Sequence, residues 1–312
     1  MFDVICAGMA LVDSIVRGFD PQPVSASGYR AVSGSLNAGG EAVNEAIASA
    51  KLGLKTGILC RLGSDAAGKL IESELQSFGV DTGRIIRSGT TPVTTMFVME
   101  NGRRKSITNE AHRQTFRPEE RPELFTDAGA LILGSLFRVP FDDPESVFSV
   151  LSAAKEAGQT VFADTKLPNF RRLSLSDLQD SLPLIDYITP NEDEAAWYSG
   201  KKDPDEMADV FLKAGVRHVI IKLGAEGCLL KSGSIRLRLP AFPVNAVDTT
   251  GAGDQFLAGF VSEILRGAFL PEALRFANAC GALCTTAVGA GTALKSREQV
   301  LQWMESSTKS AT

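Results

Sequence analysis

Short continuous apolar runs alternate along this chain with longer stretches whose apolar residues recur at helical spacing. The runs are Val4-Ile5-Cys6-Ala7-Gly8, Thr56-Gly57-Ile58-Leu59-Cys60, Ala130-Leu131-Ile132-Leu133, Thr160-Val161-Phe162-Ala163-Asp164, Tyr187-Ile188-Thr189 and His218-Val219-Ile220-Ile221-Lys222. Amphipathic stretches at 40–52, 65–78, 144–157 and 204–214 lie between them. Strands that are apolar on both faces and separated by helices predict an α/β fold, a doubly wound and mainly parallel sheet flanked by helices. The C-terminal third predicts helices at 252–266, 271–287 and 296–306, followed by a small polar tail at 307–312 that is expected to fray. Residues 1–306 are therefore expected to form one α/β domain.

Two segments break this rhythm. Residues 14–36 carry Pro21, Pro23, Gly28, Gly34 and many serines, and Val93, Thr95, Phe97 and Met99 alternate with polar positions before Asn101-Gly102. Asn-Gly after an alternating run predicts a hairpin. Together these pieces, at about 14–37 and 90–112, predict a small β-sheet inserted as a lid beside the active site.

Composition narrows the class. Hydrophobic residues make up 44% and charged residues 22%, as in ordinary globular chains. A net charge of −5 gives no support for nucleic-acid binding. No apolar run reaches membrane-spanning length and no signal peptide is evident, so a cytoplasmic protein without a membrane partner is expected. The scattered Cys6, Cys60, Cys228, Cys280 and Cys284 read as buried thiols rather than disulfides. With two histidines in the chain, a histidine triad or zinc site has little support, and His112 reads as structural. The first strand is not followed by GxGxxG, which disfavours a dinucleotide-binding oxidoreductase.

The densest chemistry lies in Asp248-Thr249-Thr250-Gly251-Ala252-Gly253-Asp254, which opens an apolar helix. A helix start offers unpaired N–H groups and the positive end of the dipole to an anion. Gly251 and Gly253 allow close backbone approach, and Asp254 places a carboxylate beside whatever phosphate binds there. A base beside an anion hole is what phosphoryl transfer to an alcohol requires. Gly39-Gly40-Glu41-Ala42-Val43-Asn44 opens a second helix, where Gly-Gly lets backbone N–H groups face a polar ligand and Asn44 both donates and accepts.

Read together, these strings resemble the ribokinase-like (PfkB) family of carbohydrate kinases. The resemblance also includes Gly8 with Asp13, then Gly53 and Gly63, Thr189-Pro190-Asn191-Glu192-Asp193-Glu194, and Leu223-Gly224-Ala225-Glu226-Gly227. It implies a doubly wound core with a β lid, ATP as donor and a small sugar or similar alcohol as acceptor. Asp254 is then the catalytic base, and the N–H groups of Gly251, Ala252 and Gly253 form the anion hole. Asn191 and Glu194 support phosphate and Mg²⁺, the glutamate through water. Lys222, Gly224 and Gly227 border the nucleotide, and Asn278 contacts the adenine. Asp13, Gly39, Gly40 and Asn44 bind the acceptor. Asp248, with main-chain groups near Thr250, Ala287 and Gly289, forms a site for a monovalent cation such as K⁺. The resemblance further implies a homodimer formed through the lid.

Some positions depart from the family pattern. Glu41 occupies a slot that is basic in the ribose-specific branch. In Asp164-Thr165-Lys166-Leu167-Pro168, a lysine and a proline replace the amide and arginine of fructokinase-like relatives, while Asp164 remains available to the metal shell. Around Gly134-Ser135-Leu136-Phe137-Arg138 there is no carboxylate of the kind ribokinases place near the sugar. Arg103, Arg104 and Lys105 would suit a phosphorylated or carboxylated sugar if they point inward. A nucleoside kinase of the same fold would need an apolar lid face, for which Phe97 and Met99 are candidates. A catalytically silent binding protein would be expected to lose the base or the anion hole, and both motifs are intact here.

Overall fold

The computed structural model describes residues 1–18, 31–99, 103–109, 116–117, 121–168 and 171–309. Fourteen strands alternate with eight α-helices along them. In chain order the strands are β1 (Phe2–Ala7), β2 (Leu11–Arg17), β3 (Ser33–Gly39), β4 (Thr56–Leu59), β5 (Arg61–Leu62), β6 (Ile86–Arg87), β7 (Val93–Val98), β8 (Arg104–Thr108), β9 (Ala128–Leu136), β10 (Thr160–Thr165), β11 (Tyr187–Ile188), β12 (His218–Lys222), β13 (Cys228–Ser232) and β14 (Ile235–Leu239). The helices are α1 (Glu41–Lys51), α2 (Ala66–Ser77), α3 (Pro144–Glu156), α4 (Glu192–Ser199), α5 (Pro204–Lys213), α6 (Ala252–Leu265), α7 (Leu270–Cys284) and α8 (Arg297–Lys309).

The main sheet has eight strands in the order β14-β13-β12-β11-β10-β9-β1-β4. It is parallel from β12 to β4 and ends in an antiparallel hairpin, β13–β14. Successive strand residues point to opposite faces, and both faces are covered, which is why the strands read as unbroken apolar runs. Ile5, Leu131, Leu133, Val161, Ile188 and Val219 pack with Val147, Val150 and Leu151 of α3 and with Phe211 of α5. Val4, Cys6, Ile58, Ile132, Phe162 and Ile220 pack with Val43 of α1, Ile71 of α2, Phe260 of α6 and Leu274 of α7. Phe162 stacks on Tyr187 at 5.0 Å, and the Phe260 ring meets both edge-on at 6.2 and 5.2 Å, which fixes α6 against the sheet. All five cysteines are buried and free.

A separate four-stranded sheet, β3-β2-β7-β8, takes up the segments that broke the α/β rhythm. Strands β7 and β8 pair antiparallel from Thr94↔Thr108 to Val98↔Arg104. The Asn101-Gly102 turn, His112, and Pro21, Pro23 and Gly28 lie outside the described residues.

Three details differ from the pattern-based expectation. Helix α7 stops at Cys284, before the expected 287, because the Thr285 carbonyl turns to accept the N–H groups of Val247 and Asp248. Helix α8 continues to Lys309, past the expected end at 306, with the Ser306 and Ser307 hydroxyls bonding back to the Trp303 carbonyl. Helix α4 is too short and too polar for periodicity to reveal. A reciprocal capping box between Asn191 and Glu194 starts it.

Candidate active site

The site forms at the carboxyl ends of the parallel strands, under the lid. Gly251 holds φ 77 at the N-cap of α6, where a side chain would collide with Ala290, so glycine is required there. The helix then carries Asp254 inward until it is 4% exposed. Asn44, one turn into α1, donates from Nδ2 to Asp254 Oδ2 at 2.7 Å across 210 residues of chain. Burial pushes the Asp254 carboxyl up to about 6, with Glu41 and Asp164 adding to the rise and Lys166 and the Asn44 hydrogen bond opposing it. The Ala252 N–H donates to the Thr249 carbonyl at 3.2 Å, closing the turn ahead of the helix. Of the three expected anion-hole donors, this amide reaches a ligand only by giving up that long bond.

Asp164, at the end of β10, is 0% exposed. Its Oδ1 accepts from Lys222 Nζ at 2.7 Å and from Thr189 Oγ1 at 2.9 Å, while its buried Oδ2 has no hydrogen-bond donor. Burial works against ionisation there, but Lys222 and Lys166 outweigh it and hold the carboxyl below its ordinary value. The Lys222 ammonium also lies against Gly253, where a β-carbon would come within 3.0 Å of it. Lys222 thus links the start of α6 to the strand ends. Lys166 Nζ sits 3.6 Å from Glu41 and 4.0 Å from Asp164. Burial disfavours its charge, but Asp254, Glu41, Asp164 and Glu194 together push its pKa upward.

Glu194 is 4% exposed rather than solvated. Its Oε2 accepts from the Asn191 N–H at 3.0 Å and from Thr165 Oγ1 at 2.8 Å, and Asn191 Oδ1 accepts from the Glu194 N–H at 2.9 Å. Asn191 and Glu194 thereby cap their own helix, and the charge of Asp164 adds to burial in raising the Glu194 pKa. Two buried carboxylates with hard oxygen donors, one oxygen of Asp164 without a hydrogen-bond donor, form a donor set that suits Mg²⁺.

The residues expected on the acceptor side also meet. Gly40 holds φ 95 before α1, and a side chain there would strike the Met9 carbonyl, while one on Gly39 would strike the Asp13 carboxylate. Asp13 lies on the lid strand β2 and is pushed up to about 6 by burial and then by the charge of Glu41.

Elsewhere the expected residues have structural work of their own. Gly227 holds φ 93 where β14 leaves no room for a side chain, and Gly224 holds φ 56 in the turn after β12. Asn278 donates to the Pro240 carbonyl at 3.2 Å and to Cys228 Sγ at 3.5 Å, tying α7 to the sheet edge. Asp248 Oδ1 accepts from the Thr250 N–H and hydroxyl, and Oδ2 accepts from the Gly289 N–H at 3.1 Å, so this carboxylate draws two loops together. Ala287 lies in the second of those loops, after α7. Arg103 and Lys105 are exposed, and the side chain of Arg104 is not among those described.

Sequence reasoning missed Glu45. It is 0% exposed on α1, below Gly134, and neither carboxylate oxygen has a hydrogen-bond donor. Carboxylate oxygens of Glu45, Asp164 and Asp254 all lie within 4.8 Å of one another. Burial first, then Asp254, Asp164 and Glu41, raise the Glu45 pKa well above its ordinary value. A lone glutamate in a helical pattern carries no signal of such a contact.

The sequence profile of the pfkB family carbohydrate kinases matches residues 5–297. The chain belongs to this family. PfkB carbohydrate kinases are phosphotransferases with alcohol acceptors, and that is the class of this enzyme. Among its relatives, a ribokinase of Haemophilus influenzae is 30% identical over 278 residues, spanning 86% of this chain and 87% of that protein. A 2-dehydro-3-deoxygluconokinase of Bacillus subtilis is 31% identical over 276 residues, spanning 84% of each. The structure of Arabidopsis thaliana ribokinase complexed with ribose and ATP superposes with a TM-score of 0.84 at 28% identity, covering 97% of this chain and 99% of that one. The PfkB fold accounts for both sheets, a large mainly parallel one with helices and a smaller separate one.

Proposed function

We propose that the enzyme transfers the γ-phosphoryl group of ATP to a hydroxymethyl group of a small sugar or sugar acid, with Asp254 as the general base. The observation that carries this reading is the position of Asp254, in the first turn of α6, buried, tied to Asn44 and next to the helix start where the Lys222 ammonium lies. The ionised carboxylate takes the proton of the acceptor hydroxyl as that oxygen attacks phosphorus. Asn44 fixes the carboxylate while Asp13, Gly39 and Gly40 hold the sugar. The N–H groups of Gly251, Ala252 and Gly253, together with Lys222, meet the charge on the transferred group. Lys222, Gly224 and Gly227 border the nucleotide, and Asn278 lies toward the adenine.

Glu194, through water, and Asp164 would hold Mg²⁺, which neutralises nucleotide phosphate charge when bound. Carbonyls of the two loops joined by Asp248, near Thr250, Ala287 and Gly289, would hold a monovalent cation. Rates compared in K⁺ and in a bulky organic cation test that site. The relatives named above take their names from a sugar and from a sugar acid, which brackets the acceptor class.

A nucleoside acceptor would need an apolar lid face, and Phe97 does not supply it on the side of Asp13, where Ile15 and Met96 are the apolar residues. Strand register pairs Asp13 with Thr94 and Ile15 with Met96, while Phe97 pairs with Val16 on the opposite lid face, away from Asp13. That opposite face also carries Leu36 and Ile107, 61% and 68% exposed, and it is the surface through which a homodimer would form. The substitution Asp254→Asn is expected to lower kcat by roughly 10²–10⁴-fold while ATP still binds. Unchanged turnover in that variant would remove Asp254 from the mechanism.

A further inference from the structure

Lys166 follows the last residue of β10, and its main chain is held on both sides. Its N–H donates to the Leu136 carbonyl at the end of β9 at 3.0 Å, and its carbonyl accepts from the Tyr198 hydroxyl at 2.6 Å. The Tyr198 ring, on α4, stacks on Phe137 at 4.0 Å, so the root of the side chain is fixed to β9 and α4. From there the ammonium reaches across the strand ends to Glu41, the first residue of α1, at 3.6 Å, and lies 4.0 Å from Asp164 Oδ2. The side chain stays 25% exposed.

Both carboxylates lie beyond hydrogen-bond reach, and among the described residues Nζ donates to no other group. Lys222 differs: its ammonium is bound to the other oxygen of Asp164 at 2.7 Å and stands against Gly253. The two lysines therefore flank one carboxylate and lead to different helices. Lys222 borders the start of α6, where the kinase reading puts the phosphate, and Lys166 borders the start of α1, where it puts the acceptor. Asp254 joins these two helix starts through Asn44, and its carboxylate comes within 4.8 Å of the carboxylate of Asp164.

Charge rather than hydrogen bonding holds the Lys166 ammonium in place, which leaves its three N–H donors for a ligand. Phosphoryl transfer supplies one, because negative charge spreads over three equatorial oxygens as the group moves toward the acceptor. A cation fixed on the acceptor side meets that charge late in the transfer, and such contacts raise kcat rather than ground-state affinity.

We propose that Lys166 is a catalytic residue whose ammonium contacts the phosphoryl group as it reaches the acceptor oxygen, with Glu41 as the residue that positions it. This rests on the kinase reading above. The P–O bond to ADP breaks and its electron pair stays with ADP, the acceptor oxygen bonds to phosphorus, and the hydroxyl proton passes to Asp254. Lys166 keeps its protons throughout.

The test compares wild type with Lys166→Met on whichever small sugar or sugar acid wild type phosphorylates fastest. The substitution is expected to lower kcat about 100-fold and to change KM for ATP by less than about threefold. Calorimetry reads the same contact without turnover. The variant should bind the non-hydrolysable imido analogue of ATP as wild type does, yet lose about tenfold or more in affinity for ADP with aluminium fluoride, a planar phosphoryl mimic, in the presence of that acceptor. Glu41→Gln is expected to cost less, because it loosens the ammonium without removing it. Alkylating Lys166→Cys with bromoethylamine, confirmed by mass, rebuilds an ammonium of nearly the same reach, while the five native thiols are buried. That treatment is expected to restore much of the lost rate. A kcat in Lys166→Met within about threefold of wild type, equal losses for the imido analogue and the fluoride complex, or alkylation that restores nothing overturns the proposal. A wild-type chain that phosphorylates no sugar or sugar acid sinks the kinase reading and this proposal with it, whereas turnover that survives Lys166→Met sinks this proposal alone.

Discussion

At the scale of single residues, the site is a balance between buried carboxylates and two lysines. In the proposed mechanism Asp254 acts as a base only when ionised, and its carboxyl is pushed up to about 6. The rate is therefore expected to climb as pH rises through about 6 and to level off above it, measured as kcat/KM against pH. Asp13 is also pushed up to about 6, so the same profile in Asp13→Asn separates the two groups. Lys166 opposes the rise at Asp254. Replacing it in Lys166→Met removes that opposition, and the acidic limb should move to higher pH. A limb that stays in place would show that Lys166 does not tune the base. Glu45, with two buried oxygens lacking donors, is the kind of group that favours its neutral acid form, and it lies too deep to compete as the base.

At the scale of elements, one motif often has two duties. Asn191 and Glu194 matched a phosphate and metal pattern, and they are also the capping box of α4, bonding each other at 2.9 and 3.0 Å. The substitution Asn191→Ala is expected to cost about 1 kcal/mol in denaturant unfolding as the cap is lost, in addition to any loss of activity. No change in stability would mean that the neighbouring elements hold α4 without its cap. Gly251 likewise serves the αL turn, where its φ of 77 and the contact with Ala290 exclude other residues, and in the proposed mechanism it also contributes to the anion hole. Periodicity revealed the helices that bury a regular face, such as α1 and α5, to within a residue or two. It could not reveal α4, whose start depends on side-chain caps, or the early end of α7, which depends on a distant loop taking its carbonyl.

At the scale of the whole molecule, the sheet order brings the ends of β1, β9, β10 and β12 together beneath the lid. The described helices include none long and apolar enough to cross a membrane. The lid turns Asp13 toward the site and leaves Leu36 and Ile107 outward. If that outer face joins two copies, replacing both residues with glutamate should convert a dimer to a monomer in sedimentation velocity runs. A wild-type chain that is already monomeric would rule out pairing through the lid.

The sequence alone determined the layered α/β architecture, because strands covered on both faces must be apolar at every position and helices between them must be apolar on one side. It also determined the reaction class, because glycine-rich helix starts and a carboxylate at a set spacing are local chemistry. Only the tertiary structure decided which charges share the pocket. Asn44 and Asp254 are 210 residues apart in the chain yet 2.7 Å apart in space, and Glu45, Asp164 and Asp254 come from three separate elements. Such convergence depends on strand order and helix packing, and no local pattern encodes it.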